Sequence, residues 1–92
     1  MLAVIWRACA RDDLARIIRH IASENPAAAR RMKRLLEEAV LPAAGHPYLY
    51  RHSERVPGLR EIVAHPNYVL LYHVAADRIE VVNVVHTRRE FP

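Results

Sequence analysis

The sequence predicts an α+β domain in which a helical hairpin packs on a mainly antiparallel four-stranded sheet, in the order β-α-α-β-β-β. Three observations predict this fold: a strand-like start, two stretches with helical spacing, and three strand-like stretches with short turns in the last third. Short connections favour antiparallel neighbours, and an apolar helix face must be buried against another layer. Because 92 residues have room for only one core, residues 1–92 are predicted to form a single domain.

The N-terminal stretch carries a strand signal followed by a helix signal. Leu2 to Arg7 is apolar and rich in strand-forming residues, so it is predicted as the first strand. A helix is then expected from about Ala10 to Ser23, because apolar residues recur at i, i+3, i+4 and i+7. These residues are Leu14, Ile17, Ile18 and Ile21. Asp12 and Asp13 are expected in the first turn, where carboxylates complement the helix dipole.

A second helix is predicted to begin at Asn25-Pro26. Asparagine is a favoured N-cap residue, and proline is favoured at the first helical position. The apolar stripe of this helix consists of Met32, Leu35, Leu36, Ala39 and Val40. Pro42 is expected to end the helix, and Leu41 to Arg55 is predicted as a loop. The short link between the helices predicts an antiparallel hairpin.

The last third of the chain reads as a three-stranded meander. Its strands are predicted at Arg60 to Ala64, Tyr68 to Val74 and Arg78 to His86. His65-Pro66-Asn67 forms the first turn and Ala75-Ala76-Asp77 the second. Charged and aromatic residues therefore lie at the strand ends, where a rigid sheet can hold them for function.

Composition limits the classes of function. The formal charge of +4 and a pI near 9.8 favour an acidic partner, either nucleic acid or an acidic protein segment. Cys9 is the one cysteine, so a disulfide within the chain is impossible, which suits a cytoplasmic location. No 18-residue apolar run or signal-peptide pattern is present, and we expect no membrane contact. Two glycines, and histidines without metal-ligand spacing, predict no cofactor and no metal.

One group of residues has the chemistry of metal-free RNA cleavage. The meander predicts that His65 and His86 lie near each other, with Arg88 and Arg89 close by and Arg60 about 15 Å away at ~3.3 Å per residue. Attack of a 2′-hydroxyl on phosphate needs a general base, a general acid and positive charge, which histidine and arginine supply. The alternative is that these residues have only structural roles. Arg60 and Glu61 would then form ion pairs on the sheet face, His65 would be a turn residue, and Arg88 and Arg89 would belong to a solvated tail.

Three stretches of the chain carry a family resemblance that covers essentially its whole length. They are Val56-Pro57-Gly58-Leu59-Arg60-Glu61, His65-Pro66-Asn67-Tyr68 with Tyr72, and Val85-His86-Thr87-Arg88-Arg89-Glu90-Phe91-Pro92. The chain resembles the RelE/ParE superfamily of toxins from type II toxin–antitoxin modules, and within it the ParE-type, plasmid-stabilisation proteins. Val4-Ile5-Trp6, Asn25-Pro26 and His46-Pro47-Tyr48-Leu49-Tyr50 agree with this resemblance.

The resemblance implies a cytoplasmic toxin that forms a hetero-oligomer with its cognate antitoxin, at a surface that the sequence does not identify. ParE-like members inhibit DNA gyrase without catalysis, and their toxicity is tied to the C-terminal strand and tail. By position these target-binding residues are His86, Thr87, Arg88, Arg89, Glu90 and Phe91. RelE-like members instead cleave mRNA on the ribosome, without a metal. The corresponding catalytic candidates are Arg60, His86 and Arg89. Whether the chain is an enzyme is therefore left open.

Overall fold

The computed structural model describes residues 1–88 and confirms the predicted α+β order. The elements are β1 (Ala3–Trp6), α1 (Ala8–Ala22), α2 (Pro26–Ala39), α3 (Leu41–Gly45), β2 (Arg60–His65), β3 (Tyr68–Val74) and β4 (Arg78–His86). The sheet has the order β1-β4-β3-β2. The β2–β3 and β3–β4 pairs are antiparallel, and β1 runs parallel to β4, so the sheet is mainly antiparallel. No helix in residues 1–88 combines the length and the hydropathy that a membrane span requires.

The helical hairpin differs from the prediction at the start of α1. The helix begins at Ala8, two residues earlier than expected, so Asp12 and Asp13 do not lie in its first turn. The first turn contains no acidic residue, and the expected contribution of these carboxylates to the helix dipole is therefore wrong. The predicted start of α2 is confirmed, because Asn25 Oδ1 accepts a hydrogen bond of 3.0 Å from Ala28 N.

The predicted loop after α2 begins with a third helix. Residues Leu41–Gly45 are helical, and Pro42 lies in the first turn of this short element. Proline is tolerated there because the first backbone N–H groups of a helix have no intrahelical partner. Helix α3 buries Ala43 and Ala44, and the Ala44 carbonyl accepts a hydrogen bond of 2.9 Å from Leu2 N. The short helix therefore anchors the start of β1.

The main core lies between the helical hairpin and one face of the sheet. Its fully buried residues include Leu36 from α2, Leu70 and Tyr72 from β3, and Ile79 and Val81 from β4. Successive side chains of a strand point to opposite faces of the sheet, so Leu70 and Tyr72 share the face that packs in the main core. The residues that alternate with Leu70 and Tyr72 form a smaller cluster on the other face: Val69 and Leu71, with Val85, Val56 and Leu59. The sheet is consequently covered on one face by helices and partly on the other by the segment before β2.

Candidate functional site

The C-terminal end of β4 and the turn between β2 and β3 meet at one end of the sheet, as the meander predicts. His86 pairs with Tyr68 across the β3–β4 ladder, and their ring centroids lie 5.3 Å apart in an edge-to-face arrangement. His65 contacts the same tyrosine, with ring centroids 5.9 Å apart. Thr87 ties the strand end to the turn, because its backbone N donates to the Asn67 carbonyl at 2.9 Å. Tyr68 thus lies between the two histidines.

Hydrogen bonds fix the tautomer of both histidines. The backbone N of Asn67 donates to His65 Nδ1 at 3.0 Å, and the backbone N of Arg88 donates to His86 Nδ1 at 3.1 Å. A ring nitrogen that accepts a hydrogen bond carries no proton, so the neutral ring is protonated at Nε2. Each ring therefore offers an N–H donor at Nε2.

A cleft of about 430 Å³ opens beside His86, between α1 and the sheet. It is lined by Asp13, Arg16, Ile17, His20, Tyr68, Val84 and His86. Sequence reasoning did not single out His20 or the carboxylate of Asp13 for this site. The signal was present, however, because Asp13, Ile17 and His20 are spaced i, i+4 and i+7, which places them on one face of a helix.

Asp13 joins helix α1 to an irregularity in β4. The register between β3 and β4 shifts at Leu71 and Tyr72, which leaves β4 with an extra residue. Asp13 Oδ2 accepts hydrogen bonds of 3.0 Å from both Val84 N and Asn83 Nδ2 at this bulge. Arg16 lies 3.4 Å from Asp13 Oδ1. The carboxylate thus accepts the hydrogen bond of the Val84 backbone N–H beside the bulge. This bond joins α1 to β4 where both elements line the cleft.

Arg60 lies at the opposite end of β3 from His86. It pairs with Tyr72, four residues along β3 from Tyr68, which corresponds to a separation of about 13 Å at ~3.3 Å per residue. Its guanidinium donates to the Tyr50 carbonyl at 2.6 Å and lies 5.0 Å above the centroid of the Tyr48 ring. Arg60 therefore holds the preceding segment against the sheet, and it does not face His86 across a common cleft.

Tyr72 is the buried centre of the Arg60 end. Its hydroxyl donates to the Pro47 carbonyl at 2.6 Å, and its ring packs edge-on against Tyr50 with centroids 6.3 Å apart. Burial raises the pKa of Tyr72 above its ordinary value, although the nearby charge of Arg60 acts in the opposite direction. The phenol therefore stays neutral near pH 7 and acts as a hydrogen-bond donor.

Glu61, next to Arg60, forms ion pairs with two arginines of the segment before β2. Its side chain is buried, with 4% of the residue exposed. Glu61 forms an ion pair with Arg51 at 2.6 Å and lies 3.9 Å from Arg55. Ser53 Oγ also donates to it at 3.1 Å. A buried carboxylate with these partners has an evident structural role.

A second carboxylate, that of Glu80 near the start of β4, forms ion pairs with two more arginines. Glu80 Oε1 accepts from Arg7 Nε at 2.6 Å, and its other oxygen accepts from Arg78 Nε at 2.7 Å. The hydrogen bond from Arg7 lowers the pKa of Glu80, with burial acting against it and Arg78 adding to it. The hydrogen bond to Glu80 in turn raises the pKa of Arg78. Arg7 and Arg78 therefore form ion pairs within the fold.

The predicted target-binding segment begins within the described part of the chain and extends beyond it. His86 and Thr87 are half-buried at the end of β4, and Arg88 is exposed. Arg89, Glu90 and Phe91 lie outside the described residues. Within residues 1–88, no three His, Cys, Asp or Glu side chains come together in a way that could bind a metal ion.

Two solved structures share the architecture and identify the class of fold. The chain matches a structure of the chromosomal ParDE toxin–antitoxin system of P. aeruginosa with a TM-score of 0.81 and 23% identity, covering 94% of this chain and 96% of that one. It also matches the solution structure of a conserved hypothetical protein from Helicobacter pylori with a TM-score of 0.65 and 13% identity. That match covers 99% of this chain and 100% of the other. The fold is that of ParE- and RelE-like toxins.

Sequence similarity identifies the family. Residues 4–91 match the family of ParE toxins of the type II toxin–antitoxin system parDE. The curated protein Toxin RelE2 of Caulobacter vibrioides is 35% identical over 89 residues, which cover 97% of this chain and 99% of that protein. The chain belongs to the ParE toxin family, within the RelE/ParE superfamily that its sequence resembles.

Proposed function

We propose that this toxin inhibits DNA gyrase in the cytoplasm, blocks replication, and is neutralised by its cognate antitoxin. Family membership supports the toxin–antitoxin part of the proposal. The closer resemblance to ParE-type proteins supports gyrase as the target. In this account the toxin acts by binding a protein and has no catalytic activity of its own.

The observation that carries the proposal is the state of the nuclease candidates. In a nuclease, the charge of Arg60 and the proton transfer of His86 would have to act on the same phosphate. Arg60 and His86 pair with β3 residues four positions apart, and Arg60 already donates to the Tyr50 carbonyl. His86 Nδ1 accepts a hydrogen bond from the backbone N of Arg88, so this ring nitrogen is already engaged within the chain. This arrangement favours recognition over phosphodiester cleavage.

The proposed contact with gyrase is the end of β4 and the residues that follow it. His86 offers an Nε2 donor and Arg88 an exposed guanidinium, beside the half-buried ring of Tyr68. Aromatic and arginine side chains are enriched among the residues that dominate interface energies. Thr87, Arg89, Glu90 and Phe91 are proposed to complete this contact.

A ribosome-dependent mRNA endoribonuclease is the second candidate function. The 35% identity to the protein named Toxin RelE2 favours it. So does the cleft beside His86, where Arg16, His20 and Tyr68 could face a polynucleotide. In this alternative Arg60, His86 and Arg89 are the catalytic candidates, and cleavage depends on His86 or Arg60.

Two assays on the purified chain separate the candidates. In the first, gyrase supercoils relaxed plasmid with ATP, and we expect the chain to reduce supercoiling and trap cleaved DNA. In the second, ribosomes carry a defined mRNA, and we expect no cleavage within codons. Cleavage of the mRNA with gyrase unaffected would overturn the proposal. Chain carrying Tyr72→Ala, which disrupts the core, provides an inactive control for both assays.

A further inference from the structure

The positive charge of this chain is concentrated at one end of the helical hairpin. We call residues 16–34 the hairpin tip; it consists of the second half of α1, the link and the first part of α2. The tip contains six lysine or arginine residues and one carboxylate, so its formal charge is +5. The rest of the sequence contains eight such cations and nine carboxylates, so its formal charge is −1. The basic character of the chain therefore belongs to the tip.

Most cations of the tip lack a counter-charge within the described fold. Lys33 is paired with Glu37 at 3.2 Å, and Arg16 lies 3.4 Å from Asp13. The other four arginine side chains are exposed, and no carboxylate within residues 1–88 forms an ion pair with them. They are Arg19, Arg30, Arg31 and Arg34. An anionic partner can therefore neutralise them without breaking an existing ion pair.

Both helices contribute cations to the side of the tip that faces away from the sheet. Leu14 of α1 and Leu36 of α2 are buried in the main core. Arg16 lies two residues after Leu14, and Arg34 lies two residues before Leu36. Two residues turn an α-helix by about 200°, so both arginines project into solvent.

Neighbouring cations within each helix repel one another. Arg30 and Arg34 are spaced i, i+4, and Arg16 and Arg19 are spaced i, i+3. Residues at these spacings are neighbours on a helix surface, and like charges there destabilise the helix. Arg19 and Lys33, which belong to different helices, also line a common groove. This density of positive charge attracts a polyanion, whose own charges are closely spaced.

The surroundings of these cations favour the phosphates of duplex DNA over other anions. The large exposed apolar residues of the described chain lie outside the tip, with a single leucine, Leu35, at its border. The tip thus lacks the apolar anchors that protein interfaces and membrane-surface helices use. It also contains no aromatic residue on which unpaired bases could stack. Between duplexes, the major groove of B-DNA accepts an α-helix, whereas that of A-form RNA is too deep and narrow.

We propose that the hairpin tip binds the phosphate backbone of duplex DNA. Arg16, Arg19, Arg30 and Arg34 contact phosphates, so binding is independent of base sequence and weakens with salt. DNA binding by the tip goes beyond the proposed function and does not require gyrase as the target. Arg16 also lines the cleft beside His86, so a duplex bound at the tip lies next to the proposed gyrase contact.

The test measures binding of the purified full chain to a short fluorescein-labelled DNA duplex by fluorescence anisotropy at several salt concentrations. With four phosphate contacts, the logarithm of the association constant should fall with the logarithm of salt concentration with a slope of about −4. Exchanging both Arg30→Gln and Arg34→Gln should make this slope shallower by about 2. The same double variant should bind about tenfold or more weakly in about 50 mM salt.

Two controls separate charge at the tip from charge in general. The double variant Arg30→Lys with Arg34→Lys keeps both charges and should bind within about threefold of the unmodified chain, because lysine also binds phosphate. Arg11→Gln removes an exposed charge eight residues before Arg19, about 12 Å along α1, and should leave the slope nearly unchanged. Circular dichroism checks that each variant is folded.

The outcomes distinguish the surface from its occupant. If the glutamine double variant binds like the unmodified chain, or the lysine double variant binds as weakly as the glutamine one, the tip is not a phosphate-binding surface. Tighter binding of an RNA duplex or single-stranded DNA of the same sequence would overturn duplex DNA as the occupant, as would equal competition by polyglutamate. Because gyrase is absent from this assay, failure of DNA binding leaves the proposed function unaffected.

Discussion

The two ends of β3 have opposite characters. At the Tyr72 end, the ring is fully buried, its hydroxyl is bonded to Pro47, and Arg60 and Glu61 are held by the segment before β2. At the Tyr68 end, the ring lies half-buried between two histidines, at the mouth of a cleft. The same strand therefore has one closed end and one open end.

The comparison separates the polar side chains that stabilise the fold from those that a partner can contact. Charged groups at the closed end have their partners within the chain, and removing one leaves another buried and unpaired. At the open end, the Nδ1 atoms are bonded to the backbone, and no residue within 1–88 accepts a hydrogen bond from either Nε2 atom. Substitutions at the closed end should therefore change stability, and those at the open end should change binding.

The largest expected effect is at the closed end. Tyr72→Ala should lower the free energy of unfolding by about 3–5 kcal/mol, because it removes a buried aromatic ring and leaves a cavity. Tyr72→Phe keeps the ring and loses only the hydrogen bond to Pro47, so it should cost about 1 kcal/mol. Urea unfolding measures both. Equal costs for the two variants would mean that the ring does not hold this end of the sheet.

Asp13 lies between the two ends, where helix α1 meets the bulge in β4. Asp13→Ala should lower the free energy of unfolding by about 1–3 kcal/mol, because the backbone N–H of Val84 loses its acceptor. Asp12→Ala is the matched control, since Asp12 is exposed on the same helix and should cost less than about 0.5 kcal/mol. The two variants are compared by urea unfolding. Indistinguishable unfolding midpoints would show that the bulge does not need the carboxylate.

At the open end, His86→Ala should weaken the contact with gyrase and leave stability nearly unchanged. A loss of about 1–3 kcal/mol of interface energy corresponds to a Kd roughly 5- to 150-fold higher, so toxicity should fall gradually. His46→Ala, at an exposed position outside the cleft, should have no effect on toxicity. Growth after graded induction measures the change. Complete loss of toxicity from His86→Ala in a folded chain would instead indicate a chemical step.

The smallest effect is the dependence of stability on pH. Because Arg7 lowers the folded-state pKa of Glu80, this carboxylate contributes stability above its unfolded pKa of about 4.3. That contribution is lost as pH falls through the lower folded-state pKa. Urea midpoints measured from pH 7 to pH 3 should therefore fall less steeply in acid for Glu80→Gln than for the unmodified chain. Parallel curves for the two proteins would contradict the ion pairs with Arg7 and Arg78.

Much of the fold could be predicted because it follows from local patterns. The apolar run of β3, the Asn25-Pro26 cap and the short turns each define an element or a connection without distant contacts. The sequence does not predict helix α3, because proline is expected to end the helix that precedes it. Proline is also tolerated in the first turn of a helix, and Pro42 occupies that position in α3. The parallel placement of β1 beside β4 depends on a crossover that local patterns do not specify.

The site was predicted less completely because its assembly depends on tertiary contacts. The nearness of His86 to the β2–β3 turn follows from the meander alone. The role of Asp13 could not be predicted, because the bulge that it satisfies arises only when β3 and β4 pair. Burial of Glu61 likewise depends on arginines that the preceding segment brings across the edge of the sheet.

Gyrase as the target is tested most directly by pulse-labelling of DNA and protein synthesis just after this chain is induced without an antitoxin. We expect DNA synthesis to fail first and the DNA-damage response to be induced, because gyrase is the proposed target. Early failure of translation, with DNA synthesis continuing, would contradict the account and make Arg60, His86 and Arg89 the residues to test as catalysts.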